Sequence, residues 1–311
     1  MKIVLAGGTG QVGTILARAF HKSGDDVVIL SRKQKDGVVP WDGKNLGPWI
    51  EQLANADVVV NLAGRSVNCR YSADNRREIL ESRVNSVHAI GRAIQQMPSP
   101  PRVWLQASTA TIYAHRFDVP NDEATGILGG SEPNAPDTWR FSIDVATAWE
   151  AAVTAIGTLP KTRVVLLRSA MTMSPDRGGI FATLRGLARL RLGGRAGSGR
   201  QFISWIHETD FVSAVRRLII DNQFAGPVNI CAPNPLTNRQ FMRELRHACG
   251  VRFGLPAAPW MLEIGARLMQ TETELILKSR SVFPRRLLDA GFEFQFPNWR
   301  DAARDLCQRS L

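Results

Sequence analysis

The sequence lacks long hydrophobic runs and closely spaced cysteines. No apolar run approaches the roughly 18 residues that a membrane-spanning helix needs, and the opening hydrophobic run ends at Ala6, too early for a secretory signal peptide. We therefore expect a cytoplasmic protein with no membrane partner. The four cysteines, at positions 69, 231, 249 and 307, form no short-spaced pair. Their spacing argues against a zinc site, a redox dithiol or a disulfide framework, so no metal is expected.

Acidic residues are scarce in the second half of the chain. The first 160 residues carry 16 basic and 16 acidic side chains, so the whole formal charge of +11 lies after them. Six arginines and no acid lie between Arg177 and Arg200. Such a field attracts a phosphate-bearing metabolite, nucleic acid or an acidic lipid surface; the alternative is a solvated arginine-rich face. Because no nucleic-acid motif or interleaved aromatic residue accompanies the arginines, we expect an anionic small-molecule substrate, contacted by Arg195 and Arg200, and no nucleic acid.

Short buried strands alternate with helices along the chain, as they do in βαβ units. With 311 residues, 44% of them hydrophobic and 22% charged, the chain suffices for one large α/β unit and a smaller lobe. Contiguous apolar residues predict strands that are buried on both faces, which is typical of parallel sheets. Strands are predicted at 2–6, 26–30, 57–62, 102–107, 163–168, 201–206 and 228–231.

This pattern predicts an α/β fold with a doubly wound parallel sheet of the Rossmann type. Residues 1–175 are predicted to form the nucleotide-binding domain, and about 201–232 to complete its sheet. Residues 176–200 and 233–311 are predicted to form a smaller, mostly helical substrate lobe and a C-terminal extension, because prolines separate short helical stretches there. The stretch 116–136, rich in Pro, Gly, Asn and Asp, is predicted to be a loop over the active site.

A glycine-rich turn follows the first strand and opens the first helix. Gly7, Gly10 and Gly13 form G-x-x-G-x-x-G in the context that a dinucleotide fingerprint requires. The first glycine permits the tight turn, the second lets backbone approach a pyrophosphate, and the third lets helix and strand pack closely. The helix N-terminus supplies free N–H groups to the phosphates. We expect cofactor contacts from the three glycines and from Thr9, Gln11 and Val12.

The end of the second strand selects between the two nicotinamide cofactors. Enzymes that use NAD place an acid there to accept from the ribose 2′-OH, whereas this chain has Ser31, Arg32 and Lys33. A guanidinium can bind a 2′-phosphate bidentately, so the sequence predicts NADP(H); two surface cations in a turn are the alternative. Small residues end the third predicted strand, where backbone passes close to the ligand, and give further predicted contacts: Leu62, Ala63 and Gly64.

Several uncommon motifs follow in a fixed order. They are Leu192-Gly193-Gly194, Gly197-Ser198-Gly199-Arg200-Gln201, Ser204-Trp205-Ile206-His207, Ala232-Pro233-Asn234-Pro235 and the stretch 284–292. With the glycine turn, they resemble the extended short-chain dehydrogenase/reductase superfamily, and within it the YfcH-like "epimerase family protein" group with a distinctive C-terminal extension. The resemblance implies a seven-stranded parallel sheet and NADP(H), with cofactor contacts from Glu78 and Arg83. We also place Ala107, Ser108, Arg168 and Met171 on the cofactor side.

The resemblance also raises the question of catalysis. The superfamily uses a Ser or Thr after the fifth strand and a Tyr followed four residues later by Lys, which lowers the Tyr pKa. Thr109 occupies the hydroxyl position, but Ser142 and Ala146 stand where Tyr and Lys belong. Tyr113 is the other catalytic candidate, although a Tyr with no cationic neighbour in sequence is a poor base at neutral pH and an orienting hydroxyl is the favoured role.

Two functions therefore stay open at this point. The first is an NADP(H)-dependent oxidoreductase or epimerase that acts on an anionic small molecule, with Arg168 also among the substrate's cationic contacts. The second is a non-catalytic NADP(H)-binding or sensing protein. The motif with His207 and Asp210 is predicted to serve as a helix cap and tie rather than as an acid–base pair.

Overall fold

A seven-stranded parallel sheet forms the centre of the molecule. The computed structural model describes residues 1–33, 35–132, 136–268 and 270–310. The strands of this sheet lie in the spatial order β10-β6-β5-β4-β1-β2-β3, and every neighbouring pair is parallel. Their bounds are β1 Lys2–Ala6, β2 Asp26–Ser31, β3 Val38–Pro40, β4 Val58–Asn61, β5 Val103–Thr109, β6 Arg163–Ser169 and β10 Gly226–Ile230.

Helices cover both faces of this sheet. On one face, α1 and α5 bury Phe20 and Phe211 against the strands. On the other, α2 and α3 pack with Trp104 and Trp149. The helix bounds are α1 Gln11–Lys22, α2 Ala73–Gln96, α3 Asp137–Thr154, α4 Ile180–Arg189, α5 Glu208–Ile220, α6 Asn238–Ala248, α7 Pro259–Leu268, α8 Glu274–Leu277, α9 Arg285–Asp289 and α10 Trp299–Arg309. The predicted doubly wound fold is therefore confirmed.

A separate apolar cluster holds the C-terminal helices together. Helices α4, α6 and α10 pack around Trp205 and Trp299, whose ring centroids are 5.0 Å apart. Phe241 stacks on Trp299 at 4.0 Å. In the described parts of the chain, no helix is both long and apolar enough to cross a bilayer. The predicted domain limits and the cytoplasmic location stay predictions.

The predicted strand at 201–206 is wrong. The chain forms two short strands there, β8 Phe202–Ile203 and β9 Trp205–His207, and neither joins the main sheet. β8 pairs with β11 (Leu236–Thr237), and β9 pairs with β7 (Met171–Met173). Ser204 separates them because its hydroxyl donates to the Arg280 carbonyl at 2.7 Å and accepts from the Val282 N–H at 2.9 Å. A tertiary contact 76 residues away thus interrupts a locally continuous β pattern.

Two structural details were not among the sequence-based expectations. The edge strand β3 was not predicted, because only three residues pair and one of them is Pro40, which cannot donate to a ladder. Two cysteines distant in sequence are also close in space, because the free thiols of Cys249 and Cys307 lie 3.6 Å apart between α6 and α10.

Candidate cofactor site and active site

A cleft of about 640 Å³ opens at the carboxyl ends of β1, β2 and β4. Ligands bind at this edge of open α/β sheets. Of the predicted cofactor contacts, those that line the cleft are Gly7, Thr9, Gly10, Ser31, Arg32, Lys33, Leu62, Ala63, Gly64 and Glu78. Residues from four separate stretches of sequence are therefore brought together as expected for one ligand.

The glycine turn leaves no room for side chains at two of its three positions. Gly7 has φ +78°, and a Cβ there would lie 2.8 Å from the Ala63 backbone nitrogen. A Cβ on Gly13 would lie 2.5 Å from the Gly8 Cα, because helix α1 crosses β1 at this point. Gly10 caps α1 without a side-chain hydrogen bond. The first N–H groups of α1 are therefore left free for an anion.

The polar groups around the turn differ in whether they line the cleft. The Gln11 amide nitrogen is buried and has no hydrogen-bond partner within the described residues. A buried donor without a partner is costly, but Gln11 does not line the cleft, and its amide lies against Gly179 before α4. The Thr9 and Ser31 hydroxyls are 2.9 Å apart and connect the turn to the end of β2. Val12 instead packs on the apolar core, so its contact to a ligand would be through the backbone.

Arg32 lies between two cavities at the tip of β2. It lines the cleft and also a neighbouring cavity of about 690 Å³ that contains Trp41 and Trp49. Arg32 and Lys33 are exposed, and neither forms an ion pair with an acid of the described chain. Sequence reasoning missed Trp41 as part of the cleft wall, because it follows the unpredicted strand β3.

Helix α2 supplies two predicted contacts in different environments. The exposed Glu78 lines the cleft and pairs with Arg65. Arg83 lies behind the cleft wall, where its Nη1 donates to the Arg65 carbonyl at 3.0 Å and a Cβ on Gly64 would approach its guanidinium at 3.2 Å. Burial lowers the pKa of Arg83 to about 10. Within the described residues it has no acidic partner, which suits a role beside a bound phosphate.

A buried polar network fixes the end of β6. The carboxylate of Glu150 accepts from Arg168 Nε at 2.9 Å and Nη2 at 2.7 Å, and from the Ser108 hydroxyl at 2.5 Å. Burial lowers the pKa of Arg168, but the hydrogen bonds and charge of Glu150 outweigh it and raise that pKa above its usual value. Ser108 and Arg168 are thus engaged inside the protein, and neither lines the two cavities described above.

Tyr113 belongs to the same network. Its hydroxyl accepts from Arg168 Nη1 at 3.0 Å and donates to the Asn229 Oδ1 at 2.9 Å, and the residue is 2% exposed. The expectation that Tyr113 has no cationic neighbour is therefore wrong, because Arg168 comes from a different strand. Burial nevertheless raises the pKa of Tyr113, against the charge of Arg168. With its hydroxyl engaged by two residues, Tyr113 is placed to orient the network rather than to exchange protons.

The turn after β5 is contacted by the C-terminal part of the chain. Thr109, which is half-buried, accepts at its hydroxyl from the Thr111 N–H at 3.1 Å. The Thr111 hydroxyl accepts from Arg280 Nε at 3.0 Å, and its carbonyl accepts from Lys278 Nζ at 2.8 Å. Because Ala146 of α3 stands where the usual Lys belongs, the cations at this turn come instead from more than 160 residues away.

Tyr71 and Glu274 complete this group beside α3. Glu274 accepts from Arg280 Nη2 at 2.5 Å, while its second carboxylate oxygen is buried and has no partner among the described residues. Burial raises the pKa of Tyr71 to about 12; the Glu274 charge adds to this, whereas a hydrogen bond with Ser142 opposes it. We call Tyr71, Thr111, Glu274, Lys278 and Arg280 the substrate-side cluster. No sequence motif indicated it, because its members come from three distant segments.

The other predicted residues lie away from this centre. Arg195 and Arg200 are exposed on the loop after α4, and Arg195 donates to the Ser198 carbonyl at 3.4 Å. Ala107 is part of β5 and packs against the apolar cluster that contains Trp149, and Met171 lies on β7. His207 caps α5 by accepting from the Thr209 N–H at 3.1 Å. The structural role predicted for His207 is confirmed.

Comparison with known proteins agrees with this geometry. The model of the NAD dependent epimerase/dehydratase family matches residues 3–231, which include the glycine turn, the cleft and the sheet. The chain belongs to this family. A second match, to a domain of unknown function (DUF1731), covers residues 257–306. This C-terminal match contains Glu274, Lys278 and Arg280, and the family resemblance expected from the sequence is confirmed.

A human relative is similar to this chain over its whole length, and a bacterial structure over part of its length. Human epimerase family protein SDR39U1 is 29% identical across 98% of this chain and 99% of its own. Its crystal structure (isoform 2) with NADPH has a TM-score of 0.84 and covers 99% of both chains. The nucleoside-diphosphate sugar epimerase from Corynebacterium glutamicum is 27% identical, with a TM-score of 0.77, across 99% of this chain and 58% of that one.

Proposed function

We propose that the cleft binds NADP(H), and that Arg32 recognises the 2′-phosphate. The observation that supports this proposal most is the position of the Arg32 guanidinium at the tip of β2, where an NAD enzyme has an acid. This guanidinium has no acidic partner among the described residues. Ser31 and Lys33 add a hydroxyl and a second cation on the same rim. The human relative whose structure contains NADPH supports the same cofactor.

The pyrophosphate would lie on the glycine turn. Gly7 and Gly10 line the cleft there, and the free N–H groups at the start of α1 face an anion favourably. Glu78 lies on the adenosine side, and Arg83 backs the wall at Gly64. These residues bind and orient; the cofactor would supply hydride chemistry when bound.

We further propose an oxidoreductase or epimerase-type reaction on an anionic small molecule beside Thr109. The substrate-side cluster supports this, because Lys278 and Arg280 place two cations at the turn that carries Thr109. Tyr71 is a protonated phenol at neutral pH, and it lies next to Ser142, where the usual Tyr is absent. A phenol of this kind can donate a proton to a carbonyl oxygen as that oxygen gains charge.

A non-catalytic NADP(H)-binding or sensing role is the second candidate. This role is favoured because the side chains of Tyr113 and Arg168 are buried and hydrogen-bonded in a network with Glu150 and Asn229. Such a network holds strands in place and leaves no free base at the end of β6. In this role the bound cofactor would set a conformation rather than react.

The cofactor proposal predicts a specific effect of Arg32→Glu. The change replaces a bidentate phosphate contact by a repulsive charge, so NADPH affinity should fall roughly 10- to 100-fold while NADH affinity changes little. Calorimetric titration of both nucleotides measures the two affinities. Arg92→Glu, an exposed arginine on α2 outside the cleft, is the matched control. Equal affinities of the unmodified protein for NADPH and NADH would contradict the proposal.

Catalysis is tested by oxidation of bound NADPH in a screen of anionic carbonyl compounds. Thr109→Val and Tyr71→Phe each remove one hydroxyl and keep shape, so each should lower kcat roughly 10²-fold or more with unchanged NADPH affinity. Tyr113→Phe is the control, because we expect this change to lower the free energy of unfolding without a selective effect on kcat. Persistent absence of turnover, with tight NADPH binding, would favour the non-catalytic role.

A further inference from the structure

An exposed apolar surface lies on the C-terminal part of the molecule, away from the cofactor cleft. Leu190 is 70% exposed, Phe253 62% and Trp260 66%. Folded monomers rarely expose many large apolar side chains in one region unless the region binds something. We define the arginine–leucine surface by its apolar members Leu190, Leu192, Phe253, Leu255, Trp260, Met261 and Ile264, and by its cations Arg189, Arg191, Arg195 and Arg252.

Backbone hydrogen bonds bring together the two loop segments that carry many of these residues. The Leu255 N–H donates to the Arg191 carbonyl at 2.7 Å, and the Gly194 N–H donates to the Leu255 carbonyl at 3.1 Å. The Ala257 N–H donates to the Arg195 carbonyl at 2.9 Å. The segment after α4 and the segment before α7 therefore run side by side, and α7 continues the surface from Pro259.

The charges on this surface are of one sign. Arg189 and Arg191 alternate with the two leucines, and Arg252 precedes Phe253. All four cations are exposed, and none has an acidic partner within 4.0 Å in the described parts of the chain. The acid on α7, Glu263, lies 3.4 Å from Arg70 and 3.6 Å from Arg267, so it is already paired.

We propose that the arginine–leucine surface docks this protein on an anionic lipid bilayer. Cations interleaved with leucine, phenylalanine and tryptophan are the pattern of interfacial binding, in which apolar side chains enter the acyl boundary and arginines contact lipid phosphates. Nucleic acid would satisfy the arginines but leave the aliphatic side chains exposed. A second copy docked on the same surface would bring arginine against arginine. The proposal goes beyond cofactor binding and departs from the sequence-based expectation of no membrane partner.

Binding to vesicles by the full-length chain tests the proposal. The protein should sediment with vesicles of phosphatidylcholine mixed with phosphatidylglycerol, and not with phosphatidylcholine alone. The pair Arg189→Gln and Arg191→Gln should weaken partitioning about 25-fold, at roughly fivefold per arginine. The pair Leu190→Ser and Phe253→Ser should weaken it roughly tenfold or more, because that apolar area no longer leaves water.

Matched variants outside the surface distinguish docking from general attraction of a cationic protein. Ile220→Ser removes an apolar side chain that is 66% exposed at the end of α5, and Arg304→Gln removes an exposed cation of α10. Both should change partitioning less than about twofold. Equal losses in these controls, or full binding by the Leu190→Ser and Phe253→Ser variant, would overturn the proposal.

Two further measurements test whether a variant loses binding because it unfolds or because the surface binds a second copy of the chain. Circular dichroism and thermal unfolding of each variant should match the unmodified protein, since every substituted side chain is exposed. Analytical ultracentrifugation should show the same mass for the unmodified protein and for the Leu190→Ser and Phe253→Ser variant. A dimer that this variant dissociates, with no binding to anionic vesicles, would assign the surface to a second copy instead.

Discussion

Lys278 is a fully buried lysine with one hydrogen bond from its ammonium group, to the Thr111 carbonyl. Burial lowers its pKa to about 8, and the charge of Arg280 acts in the same direction, against Glu274 and Glu132. The unfolded chain therefore binds more protons than the folded chain between about pH 8 and the ordinary lysine pKa of about 10.4. Through this group, the free energy of unfolding rises as pH rises across that window.

The consequence is measurable with Lys278→Met, which keeps most of the side-chain volume and removes the charge. The stability of the unmodified protein relative to this variant should rise by about 3 kcal/mol between about pH 7 and about pH 10. Urea denaturation at both pH values gives this difference. Lys161→Met, at an exposed lysine, should show no comparable change. A pH-independent difference for Lys278→Met would show that the amine titrates in the folded protein as it does in the unfolded chain, so that burial does not lower its pKa.

At the scale of helices and strands, sequence patterns predict an element wherever the contacts that bury it and its hydrogen bonds come from residues nearby in sequence. The glycine turn, the strand before it and helix α1 could be predicted from the first 22 residues, because Gly13 packs against Gly8 within that unit; the close approach of Gly7 to Ala63 adds a contact from outside it. Strand β3 and the break at Ser204 could not be predicted. Strand β3 is too short, with three paired residues that include Pro40, and the break at Ser204 depends on the segment near Arg280, 76 residues away.

The two halves of the candidate site differ in the same way, since one depends on local sequence and the other on distant contacts. The lining of the cleft could be predicted, because Gly7, Gly10 and Arg32 stand at positions that nearby sequence defines. The substrate half could not, since Tyr71 and Glu274 meet only after the C-terminal segment folds across the end of β5. Short-range sequence patterns carry no information on contacts between such distant segments. For the same reason the cationic neighbour of Tyr113 was missed.

For the whole molecule, Glu208 connects the beginning of the chain to its end. This carboxylate at the start of α5 is 5% exposed at its side chain; it accepts from Arg18 Nη2 of α1 at 2.9 Å and also from Arg309 of α10. Glu208→Gln removes the negative charge between two arginines. Both guanidinium groups are nearly half exposed and can be hydrated after the change. The expected loss is therefore about 1–3 kcal/mol, below the 3–5 kcal/mol typical of a fully buried pair.

The same substitution separates global stability from cofactor binding. All residues that line the cleft lie between Gly7 and Asn85, so NADPH affinity should stay within about twofold while the urea midpoint falls. Asp301→Asn, which removes an exposed partner 4.0 Å from Arg304, should change stability by less than about 0.5 kcal/mol. If Glu208→Gln weakened NADPH binding and left the urea midpoint unchanged, the C-terminal helix would have to control the geometry of the glycine turn through α1.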